Sequence, residues 1–156
     1  MKRIGYAPGA YDLFHIGHLN LLRQAKQQCD FLIAGVVSDD VLAVHKGVMP
    51  TIPLAERLAI VRSIRFVDAA VPAMTNDKVE IWKTLHFHVL FKGDDWQGTE
   101  KGAKLERDFA ALGVDVVYFQ YCSATSSSEL RRTLREFDNL AQADIDLEIE
   151  RLPRPT

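Results

Sequence analysis

Apolar positions fall in two rhythms along this chain, and the rhythms alternate. Residues 31–37 form an unbroken apolar run, which predicts a strand buried on both faces of a parallel sheet. Shorter apolar runs at 3–7, 69–71, 89–92 and 114–119 predict four more strands, the second of these stopped by Pro72. Between them the spacing turns helical. Leu19, Leu21, Leu22 and Ala25 make the inner face of one helix. Leu54, Leu58, Ile60, Val61 and Ile64 place another over 53–64, with Pro53 suited to its first turn. Residues 78–85, 100–112 and 126–140 predict three further helices, and Gly113 suits the end of the second of these. Strands that alternate with helices argue for an α/β fold: a doubly wound, five-stranded parallel sheet with helices on both faces.

Length and composition narrow the class. The chain has 156 residues, 47% apolar and 26% charged, the proportions of one soluble globular domain with a single core. A net charge of −2 gives no basis for wholesale binding of nucleic acid or attraction to a membrane surface. No apolar run approaches the ~20 residues of a membrane span, and Met1-Lys2-Arg3 leads straight into a strand with no signal peptide. The expected location is the cytoplasm, where Cys29 and Cys122 are free thiols. There are no repeats. Residues 1–142 read as one domain. Residues 143–156 are acidic and then hold Pro153 and Pro155, and they read as a C-terminal arm, a frayed end or a linker.

The candidate chemistry sits where strands end. Gly9-Ala10-Tyr11-Asp12-Leu13-Phe14-His15-Ile16-Gly17-His18 follows the first strand and opens a helix. Unpaired N–H groups and the macrodipole at a helix start favour an anion, and two imidazoles stand one turn apart there. Gly9 would let backbone approach a ligand closely. The pair offers no nearby third ligand, so no protein metal site is expected from it. A second polar cluster, Lys92-Gly93-Asp94-Asp95-Trp96-Gln97-Gly98, follows the fourth strand. In the usual strand order of a doubly wound sheet these two strands are neighbours at the switch point, so both clusters would meet across one crevice. Thr125, Ser126 and Ser127 lead into the last helix and could cap it or hold phosphate oxygens. Lys46 falls in a loop punctuated by Gly47 and Pro50. Arg57 and Arg65, eight residues apart, would share one side of a helix. His86 and His88 flank Phe87 and would share a strand face.

The 9–18 run, Lys46 with Glu56-Arg57 and Arg65-Phe66-Val67-Asp68, the Gly-Asp-Asp-Trp block and the stretch from Thr125 to Arg131 occur in that order. Together they resemble the cytidylyltransferase branch of the nucleotidyltransferase superfamily, nearest its glycerol-3-phosphate members. The resemblance implies the Rossmann-like nucleotidyltransferase fold, magnesium, CTP as donor and a homodimer. It implies that His15 and His18 hold the triphosphate and stabilise the transition state, and that Lys46 and Arg65 bind phosphates, with Arg57 beside the acceptor. It implies that Gly9, Ala10, Tyr11, Asp12 and Gly17 belong to the nucleotide site. Asp94 and Asp95, with Gly93 and Trp96, would line the cytosine end, and Thr125, Ser126 and Ser127 would hold nucleotide phosphates. One departure stands out. Where the family has an arginine and, further on, a glycine, this chain has Tyr121 and Ala124. A tyrosine ring can pack on a base or sugar but cannot neutralise a phosphate.

The expected reaction is in-line attack by an acceptor phosphate or phosphonate oxygen on the α-phosphorus of CTP, with loss of pyrophosphate. Positioning and charge stabilisation would carry it, by His15, His18, Lys46 and Arg65. Glycerol 3-phosphate is the nearest acceptor precedent. Other readings are a phosphonate acceptor such as 2-hydroxyethylphosphonate in a module of a bifunctional enzyme, an adenylyltransferase of the same fold, and a non-catalytic nucleotide-binding regulator.

Overall fold

Five parallel strands form one sheet in the order β3-β2-β1-β4-β5. The computed structural model describes residues 1–121 and 124–153. The strands are β1 (Ile4–Gly9), β2 (Phe31–Val37), β3 (Ala69–Ala73), β4 (Val89–Gly93) and β5 (Asp115–Phe119). The helices are α1 (Ile16–Gln27), α2 (Asp39–Lys46), α3 (Leu54–Arg62), α4 (Lys78–Leu85), α5 (Glu100–Ala110) and α6 (Ser127–Glu150), with a 3-10 turn over Asp94–Trp96. The chain steps outward from β1 to β2 to β3, then crosses back to lay β4 on the other side of β1. The switch point therefore lies between β1 and β4, as the apolar pattern leads one to expect.

Alternation along the strands splits the core into two layers. On one face Leu22 and Ala25 of α1 and Val61 of α3 cover Leu32, Ala34 and Phe91. On the other, Leu105 and Phe109 of α5 cover Tyr6, Ile33 and Leu90. Leu90 and Phe91 are neighbours that point to opposite layers, which is why β4 reads as a continuous apolar run.

Four expectations are corrected. Residues 39–46 form α2, a helix the apolar pattern does not announce, because only Leu42 on it is buried. Its ends are ordinary: Ser38 accepts the Val41 N–H, two aspartates occupy the first turn, and Gly47 closes it with a φ of 67°. Lys46 is thus the last residue of a helix and does not lie in a loop. Pro72 does not stop β3, because β3 is an edge strand and Pro72 lies exposed within it. The last helix does not end at residue 140. It runs on to Glu150 through the residues expected to form an arm, frayed end or linker, and none of its 24 residues is buried. His86 and His88 also fail to pair on a strand: His86 ends α4 with a φ of 49°, and His88 Nδ1 accepts the Ile4 N–H at 2.9 Å.

Candidate active site at the carboxyl edge of the sheet

The turn between β1 and α1 is strained and firmly held. Tyr11 and Leu13 both adopt left-handed backbone, with φ of 53° and 50°. Each costs about 1–3 kcal/mol for a residue with a side chain, a penalty that persists only where the surroundings fix the conformation. Here they do. The Tyr11 ring is buried and its hydroxyl donates to the Ala7 carbonyl at 2.8 Å. Gly9 makes room for that ring, since a Cβ there would meet it at 3.1 Å. The glycine therefore serves an internal contact, and the Tyr11 hydroxyl faces inward. Asp12 is buried, and its carboxylate accepts the N–H groups of Thr51 and Ile52 at 2.8 and 2.9 Å and a bond from Arg131 of α6 at 3.2 Å. The Ser127 hydroxyl donates to the Asp12 carbonyl at 2.7 Å. One residue thus ties together the β1–α1 turn, the segment before α3 and the start of α6.

The histidines cap their own helix. The Gly17 N–H donates to His15 Nδ1 at 3.0 Å, and the His15 N–H donates to His18 Nδ1 at 3.2 Å, closing a reciprocal capping box. An Nδ1 that accepts an N–H cannot carry a proton, so each ring bears its proton on Nε2. The ring centroids lie 4.0 Å apart. Burial lowers the pKa of His15. Burial, the neighbouring His15 and Lys46 push His18 down to about 4, against a smaller opposing pull from Asp12. At neutral pH the pair is therefore two uncharged imidazoles, each with an Nε2–H left to donate. Gly17 is buried in the first turn, where its N–H belongs to the cap.

Other expected residues divide. Lys46 is exposed at the end of α2, and its charge acts on His18. Asp94 and Asp95 lie in the 3-10 turn after β4, at the same edge of the sheet. The Tyr121 ring packs on Gly93, where a Cβ would collide with it at 2.3 Å. Burial, then Asp95 and Asp94, raise the Tyr121 pKa, so its hydroxyl stays protonated beside the two carboxylates. Ser126 caps α6 by accepting the Glu129 N–H at 3.1 Å. Thr125 lies just before that cap, next to Ala124. Cys122 and Ser123 lie outside the described residues.

Arg57 and Arg65 do not share a helix side. Arg57 is fully buried, and its guanidinium donates to the carbonyls of Ile52, Ala10 and Val37 and pairs with Asp39 at 2.5 Å. Every arm of it is engaged by protein, so it braces the crevice wall. Arg65 follows the end of α3 and lies at the amino edge of the sheet, next to Asp68, which accepts the Leu32 N–H at 2.7 Å. That is the edge opposite His15 and His18. Its guanidinium rests 5.8 Å from the Phe66 ring centre.

Lys78 and Lys101 carry no signal in the sequence, and the fold brings both to Lys92 of the second polar cluster. Lys92 Nζ lies 3.4 Å from the centre of the Trp96 ring, with Lys78 at 4.9 Å and Lys101 at 6.0 Å. Only Lys92 carried a local signal, being the residue before Gly93. Arg131, the end of the Thr125 to Arg131 stretch, pairs with Asp12, a partner set by where α6 docks.

Known proteins resemble this chain in sequence and in fold. A family model described as cytidylyltransferase-like matches residues 6–133. The glycerol-3-phosphate cytidylyltransferase of Staphylococcus aureus is 30% identical over 139 residues, covering 86% of this chain and 96% of that protein. The ethanolamine-phosphate cytidylyltransferase of Dictyostelium discoideum is 40% identical over 98 residues, covering 60% of this chain and 26% of the relative. The chain thus spans about a quarter of that longer protein. A crystal structure of a lipopolysaccharide core biosynthesis protein from Thermoplasma volcanium superposes with a TM-score of 0.67 at 24% identity, over 80% of this chain and all of that one, which bears on the fold alone.

Proposed function

The chain belongs to the cytidylyltransferase-like family, and on that premise we propose that it transfers CMP from CTP to the phosphate of a small acceptor, releasing pyrophosphate. An acceptor oxygen attacks the α-phosphorus. The new P–O bond forms as the bond to the β-phosphate bridging oxygen breaks, and pyrophosphate leaves with that electron pair. The acceptor oxyanion is already a nucleophile, so no base and no covalent intermediate are needed. Glycerol 3-phosphate is the acceptor to try first, and a phosphonate such as 2-hydroxyethylphosphonate fits the same step.

The observation that carries the reading is the histidine pair. Both Nδ1 atoms are occupied by backbone N–H groups, which leaves two Nε2–H donors 4.0 Å apart in ring centre at a helix start. Neutral donors held in place before reaction suit a triphosphate whose negative charge moves outward as pyrophosphate departs. Lys46 adds a full positive charge next to them. Tyr121 would lie along the base or ribose, on Gly93.

The described residues do not fit a resident magnesium. Both oxygens of Asp12 are taken, and the described residues hold no group of three His, Cys, Asp or Glu side chains suited to a metal. We propose magnesium as the companion of CTP, held by phosphate oxygens and water, and no step above passes through a protein-bound ion. A homodimer belongs to the same proposal. Leu134, Phe137 and Ile145 are exposed along α6 and offer a second copy an apolar face.

Pyrophosphate release from CTP and, separately, from ATP across a panel of small phosphates and phosphonates tests the reading. Release with CTP and one acceptor supports it. Release only with ATP would move the chain to adenylyl transfer, and CTP binding without release on any acceptor would make it a nucleotide-binding regulator.

A further inference from the structure

Trp96 stands in a ring of ammonium groups that the transfer step above does not use. Lys92, Lys78 and Lys101 all lie within 6.0 Å of its ring centre. Lys46, Lys78 and Lys101 line, with Trp96, a cavity of about 480 Å³ between the end of α2 and the starts of α4 and α5. That size suits a small molecule.

The acidic groups at hand do not balance these charges. Asp77 caps α4 by accepting the Val79 and Glu80 N–H groups, and Asp108 pairs with Lys104 at 2.6 Å. Among the described residues, Lys46, Lys78, Lys92 and Lys101 form no ion pair, although Asp77 acts on Lys78 and Asp95 on Lys92 from farther off. One indole face compensates like charges only in part. Burial and the other lysines push Lys92 down to about 7, and burial lowers Lys78 too. Lys46 lines the cavity, and its charge acts on His18 as well as on Lys78 and Lys92.

We propose that this cavity is the acceptor site and that it selects an acceptor bearing a second anionic group, a carboxylate or another phosphate, besides the phosphate that attacks CTP. The proposal rests on the transferase reading and deepens it. Lys46 lies toward the reacting phosphates, and Lys78 and Lys101 are left to meet the far end of the acceptor. A neutral tail leaves them uncompensated, and an ammonium tail is repelled by them.

Three acceptors of similar size separate the cases: 3-phosphoglycerate with a carboxylate tail, glycerol 3-phosphate with a neutral tail and phosphoethanolamine with an ammonium tail. Binding is followed by tryptophan fluorescence on the full chain, and turnover by pyrophosphate release from CTP. We expect 3-phosphoglycerate to bind at least tenfold tighter than phosphoethanolamine and several-fold tighter than glycerol 3-phosphate. Lys78→Gln, or the exposed Lys101→Gln should the first not fold, removes most of that preference. Equal binding of the three, preference for phosphoethanolamine, or Lys101→Gln weakening CTP instead of the carboxylate acceptor overturns the proposal. The two readings fail separately. Carboxylate-selective binding with no pyrophosphate release would sink the transferase reading and keep the anion site, whereas turnover without carboxylate preference would do the reverse.

Discussion

The β1–α1 turn and the surroundings of Trp96 lie at the same edge of the sheet and handle polarity in opposite ways. At the turn, polar groups are matched inside the protein. Asp12 accepts from two backbone N–H groups and Arg131, Arg57 donates along every arm, and each histidine Nδ1 is filled. Around Trp96, three lysines face one ring without an ion pair among the described residues. The first region spends its hydrogen bonds on holding a strained backbone in one shape, which suits preorganised donors. The second keeps unbalanced charge, which suits a site completed by its ligand. Stability should therefore be concentrated in the first region and ligand response in the second.

Removing the brace in the matched region should have the largest effect. Arg57→Met would strand the carbonyls of Ala10, Val37 and Ile52 and the partner carboxylate of Asp39. A loss of about 3–5 kcal/mol in urea unfolding is expected, as for one partner of a buried pair. A loss under about 1 kcal/mol would mean the turn is not held as described.

Next comes the donor itself. His18→Ala should lower turnover by roughly 100- to 1000-fold, on the order of 2.7–4 kcal/mol of transition-state stabilisation, with the fold checked by circular dichroism. Near-normal turnover would leave the histidine pair as a cap and nothing more.

Acid should expose the same residue. Folded His18 takes its proton near pH 4, whereas an unfolded histidine does so near 6.5. Between those values the unfolded chain binds the extra proton. The contribution is thus complete above pH 6.5 and is lost as pH falls toward 4, about 2 kcal/mol of it by pH 5. Urea midpoints at pH 7 and pH 5 measure this, and His18→Gln should flatten that part of the slope.

The smallest effect has the opposite sign. Lys92→Met removes a half-buried charge among like charges and should stabilise the folded chain by about 1 kcal/mol. A clear destabilisation would show that the lysines around Trp96 are structurally matched after all, and the contrast between the two regions would collapse.

Much of the architecture could be read from the chain alone. The run 31–37 is β2 to the residue, the helix at 78–85 is α4, and the crevice between β1 and β4 follows from alternating strands and helices. These features are legible because burial periodicity is local: a strand or helix marks its buried face within a few residues. His15 and His18 are legible for the same reason, being one turn apart at a helix start. Elements with little buried surface were not. A single buried residue gives α2 no stripe, and α6 has none to mark its length.

The roles of charged groups were decided at longer range. Arg57 and Arg65 look alike in sequence, yet the packing of α3 buries one among carbonyls and leaves the other at the far edge of the sheet. Lys78, Lys92 and Lys101 belong to three different elements and meet only because the crossovers through α4 and α5 bring them to one indole. The sequence by itself determined the sheet, its switch point and the two histidines one turn apart at a helix start. Tertiary packing alone decided which cations are consumed by the fold and which are left for a ligand, because a charge is worth what surrounds it, and those surroundings come from residues far away along the chain.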